Sequence, residues 1–228
     1  MRESSAKQTV VAANDVFRTF QIGSNRIEVL KGVSIEIRRG EKLFLSGASG
    51  AGKTSLLYTL AGLEQPNEGN VIIDGKDLYR LSRKDQARLR NEKMGYVFQN
   101  FFLLPELTAI ENVLIPSLIG RKQNRDRAAE LLERVGLGER LNHLPAELSG
   151  GEQQRVAIAR SLVNDPEIIF ADEPTGNLDS KAGRSVMDLL MDLVDERERT
   201  LLVVTHDTEL AESGDRKIEL ADGRVVRD

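Results

Sequence analysis

The chain has 228 residues, which is enough for one large domain with a sizeable buried core. Hydrophobic residues make up 40% and charged residues 30%, as is typical of globular proteins. The net charge of −4 argues against a nucleic-acid binder, because such proteins usually carry an excess of Lys and Arg. The chain has no Cys and two His, which excludes disulfides and thiolate or histidine-rich metal sites.

No apolar run approaches the ~20 residues that a membrane-spanning helix needs. The polar start of the chain, Met1–Gln8, is expected to be frayed, and it lacks the apolar region of a signal peptide. We therefore expect a cytoplasmic protein, which another chain must hold if it works at a membrane.

The first part of the sequence predicts a small β layer and then a strand, a glycine-rich turn and a helix. Short apolar runs bounded by turn residues predict the strands. These are Val10–Phe17, Ile27–Leu30, Val33–Ile37, Lys42–Ser46, Val71–Ile73 and Gly95–Phe98, with a helix from Gly52 to Ala61. Ser82 and Asp85 have the spacing of a capping box and predict a further helix, whose Arg-rich face we interpret as solvated.

The segment from about 100 to 164 predicts helices and almost no strand. Thr108 with Glu111, and Ser149 with Glu152, have capping-box spacing. Strands resume afterwards. The remaining predicted elements are helices at Arg125–Val135, Ser149–Val163 and Lys181–Asp195, strands at Ile168–Ala171 and Leu201–Thr205, and a hairpin turning at Asp222-Gly223. The apolar run Phe101–Leu104 is interpreted as core or, alternatively, as an exposed groove that receives a membrane partner.

A glycine-rich segment, Gly47-Ala-Ser-Gly-Ala-Gly-Lys-Thr54, matches the phosphate-binding loop pattern between a predicted strand and a predicted helix. Its glycines let backbone amides approach phosphate oxygens at a helix N-terminus. Lys53 can neutralise the β- and γ-phosphates, and the Thr54 hydroxyl can bind Mg²⁺. The predicted nucleotide-binding residues of this loop are Gly47, Ala48, Ser49, Gly50, Ala51, Gly52, Lys53, Thr54 and Ser55.

Two acidic residues, Asp172 and Glu173, follow the predicted strand that ends at Ala171. Carboxylates at the end of a buried strand are costly unless they meet a cation or move a proton. Beside a phosphate-binding loop, this pattern predicts that Asp172 binds Mg²⁺ and that Glu173 polarises the attacking water.

A second helix N-terminus is glycine-flanked, in the sequence Leu148-Ser-Gly-Gly-Glu-Gln-Gln-Arg155. Such a terminus with a Ser hydroxyl is an anion site. Because the chain already has one phosphate cradle, a second one is reasonable if it closes over the γ-phosphate of a partner.

These motifs resemble those of ATP-binding-cassette proteins, and they occur in the same order. Leu148–Gln153 is similar to the signature motif of the family, although the commonest signature has Gln where this chain has Glu152. Gln99 matches the Q-loop, Asp179 the D-loop and His206 the switch histidine, while Phe20 lies where the family places an aromatic residue.

The resemblance implies a role for each matching residue. Phe20 stacks on adenine, Gln99 reaches Mg²⁺, and His206 contacts the γ-phosphate. Ser149 and Gly151 reach the nucleotide of the opposite subunit, and Asp179 works at the dimer interface. The implied catalytic residues are Glu173, His206 and Lys53, and the implied Mg²⁺ ligands are Thr54, Gln99 and Asp172.

The implied fold class is α/β, with a P-loop NTPase (RecA-like) core, a small N-terminal antiparallel β layer and an inserted helical subdomain. The core is expected at about 1–99 and 165–228, and the helical subdomain at about 100–164. The chain most resembles the ATPases of lipoprotein-releasing and macrolide-exporter systems. These imply a homodimer with two ATP at its interface, separate transmembrane permease subunits, and a peripheral place on the inner face of the cell membrane.

Two other functions stay open at this point. Soluble ATP-binding-cassette ATPases of DNA repair or chromosome organisation share the phosphate loop and the signature, but they insert a long heptad coiled coil. A small P-loop kinase would need neither the signature helix nor His206.

Overall fold

The computed structural model describes residues 8–122 and 124–228. Most of the predicted frayed terminus, residues 1–7, lies outside the described residues. The chain forms two compact units: the first runs up to Gln86 and resumes at Glu198, and the second is Ala87–Arg197. The predicted division into a core and a subdomain at about 100–164 stays a prediction. Among the described residues, no helix is long and apolar enough to cross a membrane.

The first unit contains a four-stranded antiparallel sheet in the order β2-β1-β4-β5. Its strands are β1 (Thr9–Ile22), β2 (Asn25–Arg38), β4 (Glu68–Ile73) and β5 (Lys76–Asp77). The sequence predicted two short runs where β2 is one continuous strand. Gly32 lies between those runs with a φ of 73°, at an irregularity of the β1–β2 register, so it disturbs the ladder without ending the strand.

Parallel strands in the first unit carry the glycine-rich segment. They are β3 (Lys42–Ser46), β8 (Thr200–Val204) and β9 (Arg216–Ala221), and β10 (Arg224–Arg227) completes an antiparallel hairpin with β9. β3 pairs in parallel with both β8 and β9, and every residue of β8 is buried, as is typical of strands covered on both faces. The predicted Asp222-Gly223 turn is confirmed, with positive φ at both residues.

Helices α1 (Lys53–Leu60) and α7 (Thr208–Ala211) follow β3 and β8 in the first unit. α1 buries Leu56, Leu57 and Leu60, so the helix after the glycine-rich segment is anchored by apolar packing. A short 3-10 helix covers Leu78–Arg80. α2 (Arg83–Lys93) begins in the first unit and ends in the second, and it has no buried residue, which confirms the predicted solvated helix.

The second unit pairs β6 (Met94–Phe98) in parallel with β7 (Ile168–Asp172). Its helices are α3 (Ala109–Ile119), α4 (Arg125–Arg134), α5 (Gly150–Leu162) and α6 (Ser180–Asp195), with short 3-10 helices at Gly138–Arg140 and Pro145–Glu147. α5 packs against α3, α4, α6 and β6 and is the central helix of this unit. The capping boxes predicted before α3 and α5 are confirmed.

The prediction that Phe101–Leu104 is core is wrong for two of its residues. Phe102 and Leu104 are 57% and 48% exposed. Phe101 and Phe102 adopt φ values of 57° and 47°, so the chain turns sharply here instead of continuing into a buried segment. The Phe102 ring packs edge-on against Phe98 at 5.3 Å and borders an open groove.

One buried amide fixes the loop between this turn and α3. The Asn112 side chain is fully buried and accepts a hydrogen bond from the Leu104 N–H at 2.8 Å. Its amide nitrogen lies 2.9–3.1 Å from the carbonyl oxygens of Leu104, Leu107 and Thr108. The loop therefore depends on a side chain that satisfies backbone groups which water does not reach.

We expect Asn112→Ala to destabilise the protein by about 1–3 kcal/mol, because buried backbone groups lose their partner. Urea unfolding at neutral pH measures this free energy. Asn124→Ala is the matched control, since Asn124 is exposed and its side chain makes no capping bond to α4. Equal stability of the two variants would show that the Asn112 network contributes nothing.

Candidate functional site

The Lys53 side chain lies within the glycine-rich segment and is only 7% exposed. Its ammonium donates to the carbonyl oxygens of Gly47 at 2.8 Å and Ala48 at 2.9 Å. In the part of the chain that the structure describes, no carboxylate lies within ion-pair distance of this ammonium. A buried cation held by neutral acceptors alone is costly, so this site fits an incoming anion.

The glycines of the segment bring its backbone into conformations that other residues avoid. Gly47 has a φ of 139°, and a Cβ there would lie 2.2 Å from the Leu220 carbonyl oxygen. Gly52 has a φ of 100°, and its Cβ would lie 2.7 Å from the Val29 carbonyl oxygen. Around Gly50, by contrast, the Cβ position meets no described atom within 4 Å. The loop is therefore tightly packed at both ends and open at its centre.

The N-terminus of α1 supplies the amides of this cradle. Gly52 is the N-cap residue, and no side chain caps the helix. The first N–H groups of a helix have no intrahelical acceptor, and they carry the positive end of the helix dipole. Lys53, Thr54 and Ser55 form this first turn, so the predicted phosphate cradle lies where backbone donors and an ammonium converge.

His206 follows β8 and is exposed. Because Leu45 of β3 pairs in parallel with Val204 of β8, His206 and the glycine-rich segment leave the same edge of the sheet. The Asp207 N–H donates to the Thr205 hydroxyl at 3.0 Å and fixes the turn that carries the histidine. The structure thus places both predicted elements of the first unit at one strand edge.

Phe20 lies in β1 and is half-buried. The Arg18 guanidinium lies over its ring, 4.4 Å from the centroid, as in a cation–π contact. One face of the ring is therefore covered by Arg18, and the predicted stacking on adenine must use the other face or displace that side chain.

The predicted acidic pair ends β7 in the second unit. Asp172 is the last residue of the strand and is 8% exposed, and it pairs with Phe98 of β6. Glu173 has a φ of 44°, an uncommon conformation for a residue other than glycine. Backbone strain of this kind occurs where surrounding structure holds a side chain in a particular direction.

Gln99 and Glu173 come together because each follows one of two paired strand ends. A Cβ at Gly176 would lie 2.6 Å from the Gln99 Nε2 and 3.2 Å from the Glu173 Oε2, so a larger residue there would displace the ends of both side chains. Asn177 accepts from the Gln99 Nε2 at 3.2 Å and donates to the Gln99 carbonyl oxygen at 3.0 Å. Asn177 therefore orients Gln99.

Asp179 is the N-cap of α6. Its carboxylate accepts from the amides of Lys181 at 3.0 Å and Ala182 at 2.9 Å. This capping role is structural and local. A role of Asp179 at a dimer interface stays a prediction.

Gln154 is a buried residue of the site that the sequence analysis missed. It is 0% exposed and donates to the carbonyl oxygens of Phe98 at 3.3 Å and Pro174 at 2.5 Å. It therefore ties the end of β6 to the turn after Glu173. A signal was present, because Gln154 lies one helical turn before buried Ile158 on the same face of α5.

Ser149 caps α5 in a reciprocal bond with Glu152. The Ser149 N–H and hydroxyl donate to the Glu152 Oε2 at 2.8 and 2.7 Å, and the Glu152 N–H donates back to the Ser149 Oγ at 3.3 Å. The hydrogen bond from the Ser149 side chain, followed by that from its backbone, lowers the pKa of Glu152 below its ordinary value. Gly151, the other predicted contact of this motif, lies in the first turn of the same helix.

The ABC transporter family model matches residues 30–176, which is more than half of the chain. The chain belongs to the ABC transporter family. It is the ATP-binding subunit of such a transporter and an ATPase, as its motifs predict.

Relatives of this ABC transporter subunit match it over nearly its whole length. A lipoprotein-releasing system ATP-binding protein LolD from Pseudomonas fluorescens is 46% identical over 97% of this chain and 99% of its own. One from Syntrophotalea carbinolica is 48% identical over 95% and 97%. The solved ATP-binding cassette MJ0796, a dimer in a post-hydrolysis state bound to ADP and Pi, matches with a TM-score of 0.87 and 44% identity over 95% of this chain and 97% of that one. The predicted fold class is thereby confirmed.

The Ser149–Glu152 bond predicts a pH dependence of stability. Because the pKa of Glu152 is lowered in the folded protein, its carboxylate stabilises the fold above its ordinary pKa of 4.5, and this contribution disappears as the pH falls through the lowered pKa. Glu152→Gln should therefore be less stable than wild type at pH 7, and the difference should shrink at pH 3–4.

Urea unfolding at both pH values measures the difference. Glu139→Gln is the control, because Glu139 is exposed and the described residues offer its side chain no ion pair or hydrogen bond. A Glu152→Gln difference that stays constant with pH would contradict the assigned role of the carboxylate.

Proposed function

We propose that this chain powers a transporter of the lipoprotein-releasing or macrolide-exporter type, as a homodimer that binds two ATP between its subunits and drives a separate membrane permease. The observation that carries the proposal is the buried Lys53 ammonium, which has only carbonyl acceptors until a phosphate arrives. The names and coverage of the relatives support the transporter subgroup.

The first unit supplies the contacts to the nucleotide. Lys53 and the amides of the glycine-rich segment bind the β- and γ-phosphates, which a point charge and converging backbone donors suit. His206 contacts the γ-phosphate from the neighbouring strand, and the uncovered face of Phe20 stacks on the base.

The predicted donor set fits Mg²⁺, because it consists of hard oxygen ligands. These are the Thr54 hydroxyl, the Asp172 carboxylate and the Gln99 side-chain oxygen. The Gln99 Nε2 donates to Asn177, which leaves its oxygen for the metal. When bound, the ion neutralises charge on the phosphates.

Glu173 orients the water that attacks the γ-phosphate and accepts its proton. Asp172 is the last residue of β7, whereas Glu173 follows the strand with a φ of 44°, so the two carboxylates leave different backbone conformations and are assigned different tasks. The unusual φ of Glu173 and the room that Gly176 leaves hold this carboxylate beside Gln99.

Dimerisation completes the site in this proposal. Ser149 and Gly151 at the N-terminus of α5 bind the γ-phosphate held by the other subunit, so that two chains close head to tail around two ATP. The solved relative, a dimer with ADP and Pi, supports this arrangement. Hydrolysis removes the shared γ-phosphate and so opens the dimer.

Two variants separate binding from hydrolysis. Glu173→Gln should bind Mg-ATP normally, lose roughly 10²–10⁴-fold in turnover, and accumulate as an ATP-loaded dimer, because only the base is lost.

Lys53→Ala should lose about 1.5–3 kcal/mol of ATP affinity and stay monomeric.

Calorimetry with ATP, a phosphate-release assay and light scattering with ATP, with ADP and without nucleotide measure these outcomes. Wild-type turnover in Glu173→Gln, or an unchanged mass of that variant in ATP, would show that the catalytic carboxylate is assigned wrongly. Unchanged ATP affinity in Lys53→Ala would remove the phosphate-binding role.

A groove in the second unit suits the permease. We use the name apolar groove for a cavity of about 450 Å³ between α2, β6, α3 and α5. Its lining residues are Ala87, Arg90, Asn91, Met94, Gly95, Tyr96, Phe98, Phe102, Ile115, Pro116, Ile119, Arg160, Ser161 and Asn164.

Phe102 and Ile119 are 57% and 70% exposed at its rim, and clustered exposed apolar side chains mark interaction sites. The exposure of Phe102 supports the alternative interpretation of Phe101–Leu104 as a docking surface. The permease bound there would hold the chain at the inner face of the membrane.

Ile119→Asp should abolish co-purification of the permease from detergent-solubilised membranes, because a charge replaces an apolar anchor. Leu118→Asp is the matched control, since Leu118 is 51% exposed on the same helix and does not line the groove. Both variants should keep the ATP affinity of the isolated chain. Loss of the permease in both variants, or in neither, would contradict docking in the apolar groove.

The other candidate function, an ATPase of DNA repair or chromosome organisation, finds no support. Such proteins carry a long coiled coil, and the longest helix among the described residues, α6, has 16 residues.

A further inference from the structure

The apolar groove also contains cationic side chains. Two cationic side chains, Arg90 and Arg160, line it together with apolar and neutral polar residues, and no carboxylate is among the described residues of its wall. A purely apolar partner would leave the Arg160 charge without compensation in a surface that excludes water.

Arg160 donates two hydrogen bonds, and both acceptors are neutral. Its Nη1 donates to the carbonyl oxygen of Phe102 and its Nη2 to that of Phe101, both at 2.5 Å. The described residues place no carboxylate within ion-pair distance, and the other N–H groups of the guanidinium have no acceptor there. Burial alone lowers the pKa of Arg160, with no acidic neighbour to oppose the effect.

Stabilisation of the turn at Phe101 and Phe102 accounts for only part of the surroundings of Arg160. Phe101 and Phe102 hold positive φ values, and the two hydrogen bonds from Arg160 stabilise that turn. Arg160 is half-buried, however, and neutral carbonyl oxygens do not compensate its charge. A partner that covers the guanidinium without bringing an acid would create an uncompensated buried charge, which is strongly destabilising. The guanidinium has a planar fork of donors that matches a carboxylate.

We propose that the segment which docks in the apolar groove carries a carboxylate, from Asp or Glu, that pairs with Arg160 between its apolar anchors. This inference rests on the proposed permease function and specifies its docking chemistry. The groove volume of about 450 Å³ suits a few side chains of one short segment, with apolar ones against Ile115 and Ile119 and the acid against the guanidinium. Arg160 thus supplies both the shape of the rim, through the turn, and the selectivity of the groove.

The test uses the permease that co-purifies with the chain, reconstituted in lipid nanodiscs. Each Asp and Glu of its cytosolic loops is changed singly to the amide, and the Kd for the chain is measured with wild type and with Arg160→Gln. One acid-to-amide change should weaken binding to the wild-type chain roughly 10- to 100-fold, because a charge-assisted hydrogen bond is lost. The same change should have no further effect on Arg160→Gln.

Arg197→Gln is the matched control, since Arg197 is a half-exposed arginine that pairs with Asp165 at 2.7 Å and does not line the groove. It should keep the full acid-to-amide effect. If none of the acid-to-amide changes in the permease alters its Kd for the wild-type chain, the inference is overturned. This outcome is informative even if Arg160→Gln folds poorly, because the changes are made in the permease and not in this chain. An acid effect that persists in Arg160→Gln would also overturn it. Insensitivity of co-purification to Ile119→Asp would instead refute docking in the apolar groove, and failure of any permease to co-purify would refute the proposed function.

Discussion

A buried ammonium without a carboxylate is the constraint on which the first unit depends. Lys53 is held by two carbonyl oxygens of its own loop, in which Gly47 and Gly52 adopt φ values that other residues avoid. Apolar anchoring of α1 and the parallel pairing of β3 keep the loop in this costly conformation. The fold therefore maintains a cation whose charge the proposed phosphate would balance.

In the second unit, backbone geometry and buried hydrogen bonds hold the side chains of the site in fixed directions. Glu173 has an uncommon φ, and Gly176 leaves space for its side chain beside Gln99. Gln154 donates to a carbonyl oxygen at the end of β6 and to one in the turn after Glu173. Each contact restricts the orientation of a side chain that would otherwise be mobile at the end of a strand. Preorganisation of this kind is what a water-positioning carboxylate requires, because a small displacement of the attacking water costs much of the rate.

Features set by local sequence were predictable. The capping boxes before α3 and α5, the Asp222-Gly223 turn and the glycine-rich loop each depend on residues within a few positions of one another. Gln154 and Asn112 were not found, because their partners are backbone groups that only tertiary packing brings near. Phe102 was predicted as core because it is apolar, whereas its exposure depends on a turn held by Arg160, 58 residues away.

The Glu152 carboxylate competes with an incoming phosphate for the Ser149 hydroxyl, and a Gln at this position would compete less strongly. The carboxylate holds both the N–H and the hydroxyl of Ser149, the residue proposed to bind the γ-phosphate of the opposite subunit. A phosphate that takes this hydroxyl must break a charge-assisted bond and approach a negative charge. The N-terminus of α5 and Arg140, whose Nε lies 3.8 Å from the Glu152 carboxylate, offset part of that repulsion. In the proposed closed dimer, the bond that caps α5 would therefore oppose closure, and it would favour reopening once hydrolysis has removed the γ-phosphate.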